Sequence, residues 1–315
     1  MKREDLVQEV RHLLARTGFF LTDPHLVPNQ VFDFVGRRDA TLVVVKCLLN
    51  GDSLTREAGD QILQVGQLLR ASPLVVAVRS SRGKLDDGVV YLRHNAPLVS
   101  LETVKDFLVE GVPPIAFAGP GGTFVSVDQG ALRSARQQRQ LSLDALAREV
   151  GLSRRAIQLY EEGMSAAVQA ADRLEKFFGQ SFTVPIDPFH YRWATSAGEP
   201  EGDKVSPFEA YVFRTLQEHG WRVTQAARCP FDAVAESPAA RLLSGVETDR
   251  ARVKLRARSI AALSSVAETE GVLFVREGPS AGNVAGTPVV TRSELDRAEA
   301  ARDIVDLIRS KKQSR

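Results

Sequence analysis

Apolar and polar positions alternate along the chain in three stretches of different rhythm. In the first, Leu6, Val10, Leu13 and Leu14 fall at offsets 0, 4, 7 and 8, the spacing of a helix with one apolar face, which Gly18 ends. Strands are expected at Phe19 to Thr22, Gln30 to Val35 and Leu42 to Leu49, the last an unbroken apolar run of the kind buried on both faces. A helix over Leu54 to Arg70, strands at Leu74 to Arg79 and Val89 to Arg93, and a helix over Leu101 to Glu110 complete an α/β pattern. Pro113, Pro114, Gly119, Pro120, Gly121 and Gly122 then surround Ile115 to Ala118 and Thr123 to Val127, which reads as a hairpin.

The second stretch is helical throughout. From Leu141 to Gly163 the sequence gives two short helices with a tight turn between them, Ser142 and Ser153 standing where N-caps belong and Gly151 where a positive backbone angle is cheap. Leu146, Ala147, Val150, Leu152, Ile157 and Tyr160 form one apolar seam, which leaves Arg154, Arg155, Ala156 and Gln158 on the outward face of the second helix. Arginine can pair with a guanine edge and glutamine with adenine, while alanine can touch a thymine methyl, so this face is the candidate base reader. Ser142 and the helix start beside it can hold a phosphate, and Arg133 and Arg139 are weaker candidates for backbone contact. A further helix, Ala167 to Phe178, closes the core with its apolar positions.

Thr183 to Pro207 contains four prolines and the run GEPEGDK, a linker in which His190 is a packing residue without a second metal ligand or acid near it. Beyond it the first rhythm returns. Phe208, Tyr211, Val212 and Leu216 lie at offsets 0, 3, 4 and 8 on a helix ended by Gly220, Trp221 opens a strand as Phe19 does, and Phe231-Asp232 answers Phe32-Asp33. The offset between partners drifts from 202 to 199, 197 and 191, as a duplicated fold with altered loops would give. Thr291 to Glu294 is a capping box for the last helix, and the end, RSKKQSR, is a basic tail.

Charge changes this picture little. The net charge of 315 residues is +2, but between Ala131 and Arg155 six arginines face only Asp144 and Glu149, a local excess of four. Cys47 and Cys229, far apart and without metal-ligand spacing, are expected in the core and fit a reducing compartment. No apolar run reaches membrane-spanning length and no signal peptide is visible, so a cytoplasmic protein without membrane attachment is expected, with no cofactor and no metal.

Three resemblances sharpen the reading. Glu9, Asp33 and Lys46 look like the restriction-endonuclease-like fold of archaeal Holliday junction resolvases, in which an acid, an aspartate and an acid-x-Lys unit hold Mg²⁺. Here the acid of that unit is Val44, so the site is short of a ligand; Glu57 and Asp60 are the residues from which an acid could migrate. In the second copy Glu209 and Asp232 persist, and Gly245 stands where lysine would be. From Leu132 to Gly179 the chain resembles the DNA-binding domain of the phage repressor and Cro class, the XRE class, on Leu132, Arg136, Leu141-Ser142, Leu146-Ala147, Gly151-Leu152-Ser153, Ile157 and Glu161-x-Gly163. That resemblance implies an ion pair between Arg136 and Glu161; the class often has a DNA-touching glutamine where this chain has Leu143. The whole order, with PIDPF, PFDAVA and LLSGV, resembles an archaeal family of HTH-type transcriptional regulatory proteins.

The expectation is a multidomain chain with an all-α XRE-type helix-turn-helix between two α/β restriction-endonuclease-like domains. Its boundaries are an inactive endonuclease-like domain at 1–114, hairpin plus DNA-binding domain at 115–182, linker at 183–206 and a duplicate of the first domain at 207–315. The expected function is sequence-specific regulation of transcription on double-stranded DNA by a homodimer, not enzymatic, with room for a small-molecule or protein effector. The alternatives are a metal-dependent, structure-selective nuclease that processes Holliday junctions, and a DNA-binding module of a larger assembly.

Overall fold

The computed structural model describes residues 2–23, 31–189, 205–278 and 282–313. In chain order come α1 (Arg3–Arg16), β1 (Phe20–Leu21), β2 (Phe34–Arg38), β3 (Thr41–Asn50), α2 (Arg56–Leu69), β4 (Ser72–Ser80), β5 (Gly83–Lys84), β6 (Val89–Arg93), β7 (Ala96–Ser100) and α3 (Leu101–Lys105), which runs on as a π turn over Asp106–Glu110. They are followed by β8 (Ala116–Gly119), β9 (Gly122–Val127), α4 (Gln129–Gln138), α5 (Leu143–Val150), α6 (Arg154–Glu161), β10 (Ala166–Ala167), α7 (Val168–Phe178) and β11 (Thr183–Val184). The last third holds α8 (Pro207–Glu218), β12 (Arg222–Gln225), β13 (Ala233–Glu236), β14 (Arg241–Glu247), α9 (Arg250–Ala267), β15 (Glu270–Val275), β16 (Asn283–Val284), β17 (Thr287–Thr291), α10 (Arg292–Leu295) and α11 (Ala301–Gln313).

These elements form two compact units that interleave along the sequence. One is made of Met1–Leu6, Leu48–Leu54 and Leu74–Ala194, the other of Val7–Cys47, Thr55–Pro73 and Thr195–Arg315. In the first unit β4 runs parallel to β7, β7 antiparallel to β6, β6 parallel to β8, and β8 antiparallel to β9, which also carries β10 and β11. Gly121 and Gly122 make the β8–β9 turn at φ 91° and 146°, a region closed to most side chains. β7, which the sequence reading did not include among the strands, is buried along its length and paired on both sides. Val89, Ala116, Val125 and Val127 of this sheet share one core with Leu132, Leu146, Ile157, Leu174 and Phe178 of the helices.

The second unit holds two lobes. In one, β1, β2 and β3 form an antiparallel meander, with Phe20 opposite Arg37 and Phe34 opposite Val45. The ladder of β2 begins at Phe34 rather than near Gln30, which lies outside the described residues, and ends at Arg38 rather than Val35. In the other lobe the strand order is β12-β13-β14-β15-β17-β16, antiparallel through β14, parallel through β17 and antiparallel at β16. Capping boxes start α8 at Ser206 with Glu209 and α10 at Thr291 with Glu294; the second is where the sequence placed it, but it opens a single turn, and the last helix, α11, begins separately at Ala301. Phe208, Leu216, Trp221, Phe274, Ile304 and Ile308 fill one side of the sheet, and Val253, Ile260, Leu273 and Val289 the other.

His190 and most of the expected linker lie outside the described residues; just before them Ile186 and Phe189 are buried, and the Ile186 amide donates to Pro114 O at 2.7 Å. Cys47 and Cys229 are both buried, and burial pushes the Cys229 thiol up. Among the described residues no helix is long and apolar enough to cross a membrane.

Candidate nucleic-acid interface

The helix-turn-helix is fixed first by its caps. Ser142 Oγ accepts from the Ala145 amide at 3.1 Å and Ser153 Oγ from the Ala156 amide at 3.0 Å, so each short helix begins with one of its otherwise unpaired donors satisfied. Gly151 ends α5 at φ 64°, and Arg173 Nη1 holds its carbonyl at 3.0 Å. Leu146, Ala147, Val150 and Ile157 are buried in the seam, with Leu152 and Tyr160 packed at its edge. Burial raises the Tyr160 hydroxyl above its ordinary pKa.

Behind α6 lies a buried carboxylate. Glu161, 5% exposed, accepts from Arg136 Nε at 2.6 Å and from Arg136 Nη2 at 2.9 Å, while Arg136 Nη1 donates to Leu141 O at 2.8 Å. This two-pronged pairing raises the Arg136 guanidinium against the opposing effect of burial and bolts α4 to the end of α6. Arg133 Nη2 adds a bond to the Glu161 carbonyl at 2.7 Å. Arg139 donates to Phe177 O and Phe178 O at 2.9 Å each and lies over both rings. Arg133 and Arg139 are thus engaged within the module, Arg139 as a cap on the bare carbonyls that end α7, while both side chains stay exposed.

The four candidate base readers are not equally presented. Arg154 and Arg155 are exposed, whereas Ala156 and Gln158 are half-buried, because a helix turn places 156 and 158 toward the flanks of the buried Ile157. Arg154 Nε lies 3.3 Å from Asp144 Oδ2, with both side chains largely in water, and Gln158 Nε2 donates to Glu162 Oε1 at 2.8 Å. Arg155 has no hydrogen-bonding or ionic partner among the described residues. Four and seven positions on from Arg155, half-buried Leu159 and exposed Glu162 share its face. The sequence reading overlooked both, though the i+4 and i+7 spacing pointed to them.

The nuclease-like positions lie in the second unit. Glu9 is exposed on α1; Asp33 precedes β2, its amide donating to Val45 O at 2.8 Å and its Oδ2 accepting from the Cys47 amide at 2.6 Å. Lys46 Nζ donates to Val31 O at 2.6 Å, and Val44, where the resolvase pattern has its second acid, is fully buried. Glu57 is drawn to Arg228 at 3.3 Å. A Mg²⁺ ion needs several converging oxygen ligands, and among the described residues no group of three acidic, histidine or cysteine side chains could hold one. The corner does not fit the metal.

Asp232 repeats this geometry in the other lobe. Its amide donates to Ser244 O at 2.8 Å and its Oδ2 accepts from the Val246 amide at 2.7 Å. Arg256 of α9 pairs with its Oδ1 and reaches Cys229 O at 3.4 Å. Burial pushes the Asp232 carboxyl up, against the pull of the Arg256 guanidinium.

Two family models match the chain. Residues 3–114 match the family model of the PD-(D/E)XK superfamily domain, and residues 132–184 match that of a helix-turn-helix. No solved structure matches the chain. Proteins named "Putative HTH-type transcriptional regulatory protein" are similar to it over nearly their full length. The one from Halorubrum lacusprofundi is 36% identical over 99% of this chain and 98% of the relative. That from Methanocella arvoryzae is 33% identical over 99% and 97%, and that from Methanosarcina mazei 32% identical over 99% and 98%. With an endonuclease-like domain, a helix-turn-helix and relatives aligned end to end, the chain belongs to this archaeal family of HTH-type transcriptional regulatory proteins.

Proposed function

We propose that the protein is a sequence-specific, DNA-binding regulator of transcription that places α6 in the major groove and acts as a homodimer, so that two such helices enter successive grooves about 34–36 Å apart. In chain order the helix-turn-helix follows an endonuclease-like α/β segment, 1–114, and precedes a second, 207–315, which we read as a duplicate of the first. The observation that carries the reading is the contrast on α6: Glu161 is locked to Arg136 on the inner side, while Arg155 stands exposed without a partner on the outer side. Among the described residues Arg154 and Gln158 are held by Asp144 and Glu162 alone, contacts that DNA can replace. Ser142 and the start of α5 are the phosphate clamp, Ser153 the cap that orients α6, and Ala156 an apolar contact at the flank.

The test is to recover the genomic fragments that the full chain binds and to measure affinity for the enriched sequence and for scrambled DNA. Arg155→Ala and Gln158→Ala should each lower affinity for the enriched site by about 5- to 150-fold, the equivalent of about 1–3 kcal/mol per base contact, with little change on scrambled DNA. Equal affinity for all sequences before and after substitution overturns the reading.

A further inference from the structure

Ladder register equates positions in the two lobes of the second unit. Arg37 faces Leu42 across β2 and β3, and Glu236 faces Arg241 across β13 and β14; with Asp33 and Asp232 at matching joints, Arg37 and Glu236 occupy one position of the fold. Arg70 and Glu268 are a second such pair. Each is the left-handed residue that ends the helix after the third strand, at φ 54° and 48°, and each is followed by the same returning amide, Ala71 N to Gly66 O at 2.7 Å and Thr269 N to Ser264 O at 3.0 Å.

Two ion pairs join these positions crosswise. Arg37 meets Glu268 at 2.6 Å, and Arg70 meets Glu236 at 3.3 Å. A contact in which position i touches j and j touches i is the mark of a twofold, isologous interface. The signs, however, differ between lobes: the first carries arginine at both positions and the second glutamate at both. Arg241 donating to Leu68 O, Gln64 Nε2 to Gln225 O at 3.1 Å and the Val31 amide to Arg228 O at 3.3 Å complete the seam.

Building on the reading of the lobes as one fold used twice, we propose that this face is a charge-coded pairing surface that accepts the other lobe of the same chain and rejects an identical lobe from a second chain. Two first lobes joined this way would set Arg37 against Arg70 twice; two second lobes would set Glu236 against Glu268 twice. Arg222 and Arg241 also hold Glu236 within its own lobe, at 3.1 and 2.9 Å; of the crosswise contacts, only those of the mixed pair set arginine against glutamate, and the covalent link gives that pair the advantage of a high effective concentration. The seam is therefore closed to homodimerisation, and a dimer that spans two grooves is built on another surface.

The test uses the full chain as wild type, Glu268→Arg, Arg37→Glu and the double variant at low salt, reading the unfolding midpoint by calorimetry and the mass by light scattering over a concentration series. Each single change puts like charges in the seam and gives the altered lobe one position of each sign, so it becomes complementary to its own copy. The expected result is a midpoint lowered by a few degrees in each single variant and mass rising with concentration beyond that of wild type. In the double variant the midpoint returns, and high salt removes the differences. A double variant no better than the worse single, or single variants whose mass follows wild type at every concentration, overturns the proposal. Neither readout involves DNA, so its failure is distinct from failure of the proposed regulator function.

Discussion

Asp33 and Asp232 sit at corresponding joints, each splicing the second strand of its lobe to the third by one amide given and one accepted. They differ in which element brings a cation to the joint. At the first it is Lys46, carried on β3 and anchored to Val31 O; at the second it is Arg256, carried on α9 and anchored to Cys229 O, while the strand position has become Gly245. A β-carbon on Gly245 would press on Cδ1 of Ile260 of α9, so any larger residue there requires that side chain of the charge-supplying helix to shift. The difference teaches that the aspartate serves the backbone in both lobes, whichever element carries the cation anchored beside it, and that its presence alone does not mark a metal site.

The contrast can be broken most directly at its more buried end. Asp232→Ala strands the Arg256 guanidinium, whose side chain is 19% exposed, and should cost about 3–5 kcal/mol in denaturant unfolding. Asp33→Ala removes an acceptor from the Cys47 amide and should cost about 1–3 kcal/mol. Equal losses would erase the distinction between the corners. Next in size, Gly245→Ala should lose about 1–3 kcal/mol by overpacking against Ile260; no change there would mean that α9 has room for the strand lysine after all.

Glu175 provides a yardstick for a carboxylate that works purely on backbone and hydroxyl groups. Its Oε1 accepts from Ser181 Oγ, Phe182 N, Thr183 N and Thr183 Oγ1, and these bonds outweigh burial to hold its carboxyl below the ordinary value. A depressed pKa contributes stability above the unfolded value of about 4.3 that disappears as pH falls through the folded one. Glu175→Gln should accordingly flatten the acid side of the stability profile, and an unaltered profile would count against this assignment. Smallest of all, millimolar Mg²⁺ should leave the unfolding midpoint and branched DNA unchanged. Cleavage that is lost in Asp33→Ala would restore the nuclease reading.

Local devices were legible in the sequence. Ser142, Ser153 and Gly151 declare the two short helices because caps and left-handed turns depend on neighbours a few residues away, and the Thr291 capping box is read for the same reason. The recurrence of Phe-Asp gave the matching joints. Long-range arrangement was not legible. Nothing near Arg37 or Glu236 announces the partners of this seam, more than 160 positions distant, and the strand β7 is buried between β4 and β6, which its own residues do not announce. At the candidate reader, helical spacing named the face, but which of its side chains were already occupied depended on Asp144 and Glu162.

The core that runs from Val89 through Val125 to Ile157 has a consequence for how this reader is carried. A cut at 114/115 would leave raw apolar faces on both pieces, so the candidate reader is no bead on a string: removing β6 would take with it part of the packing on which α6 rests.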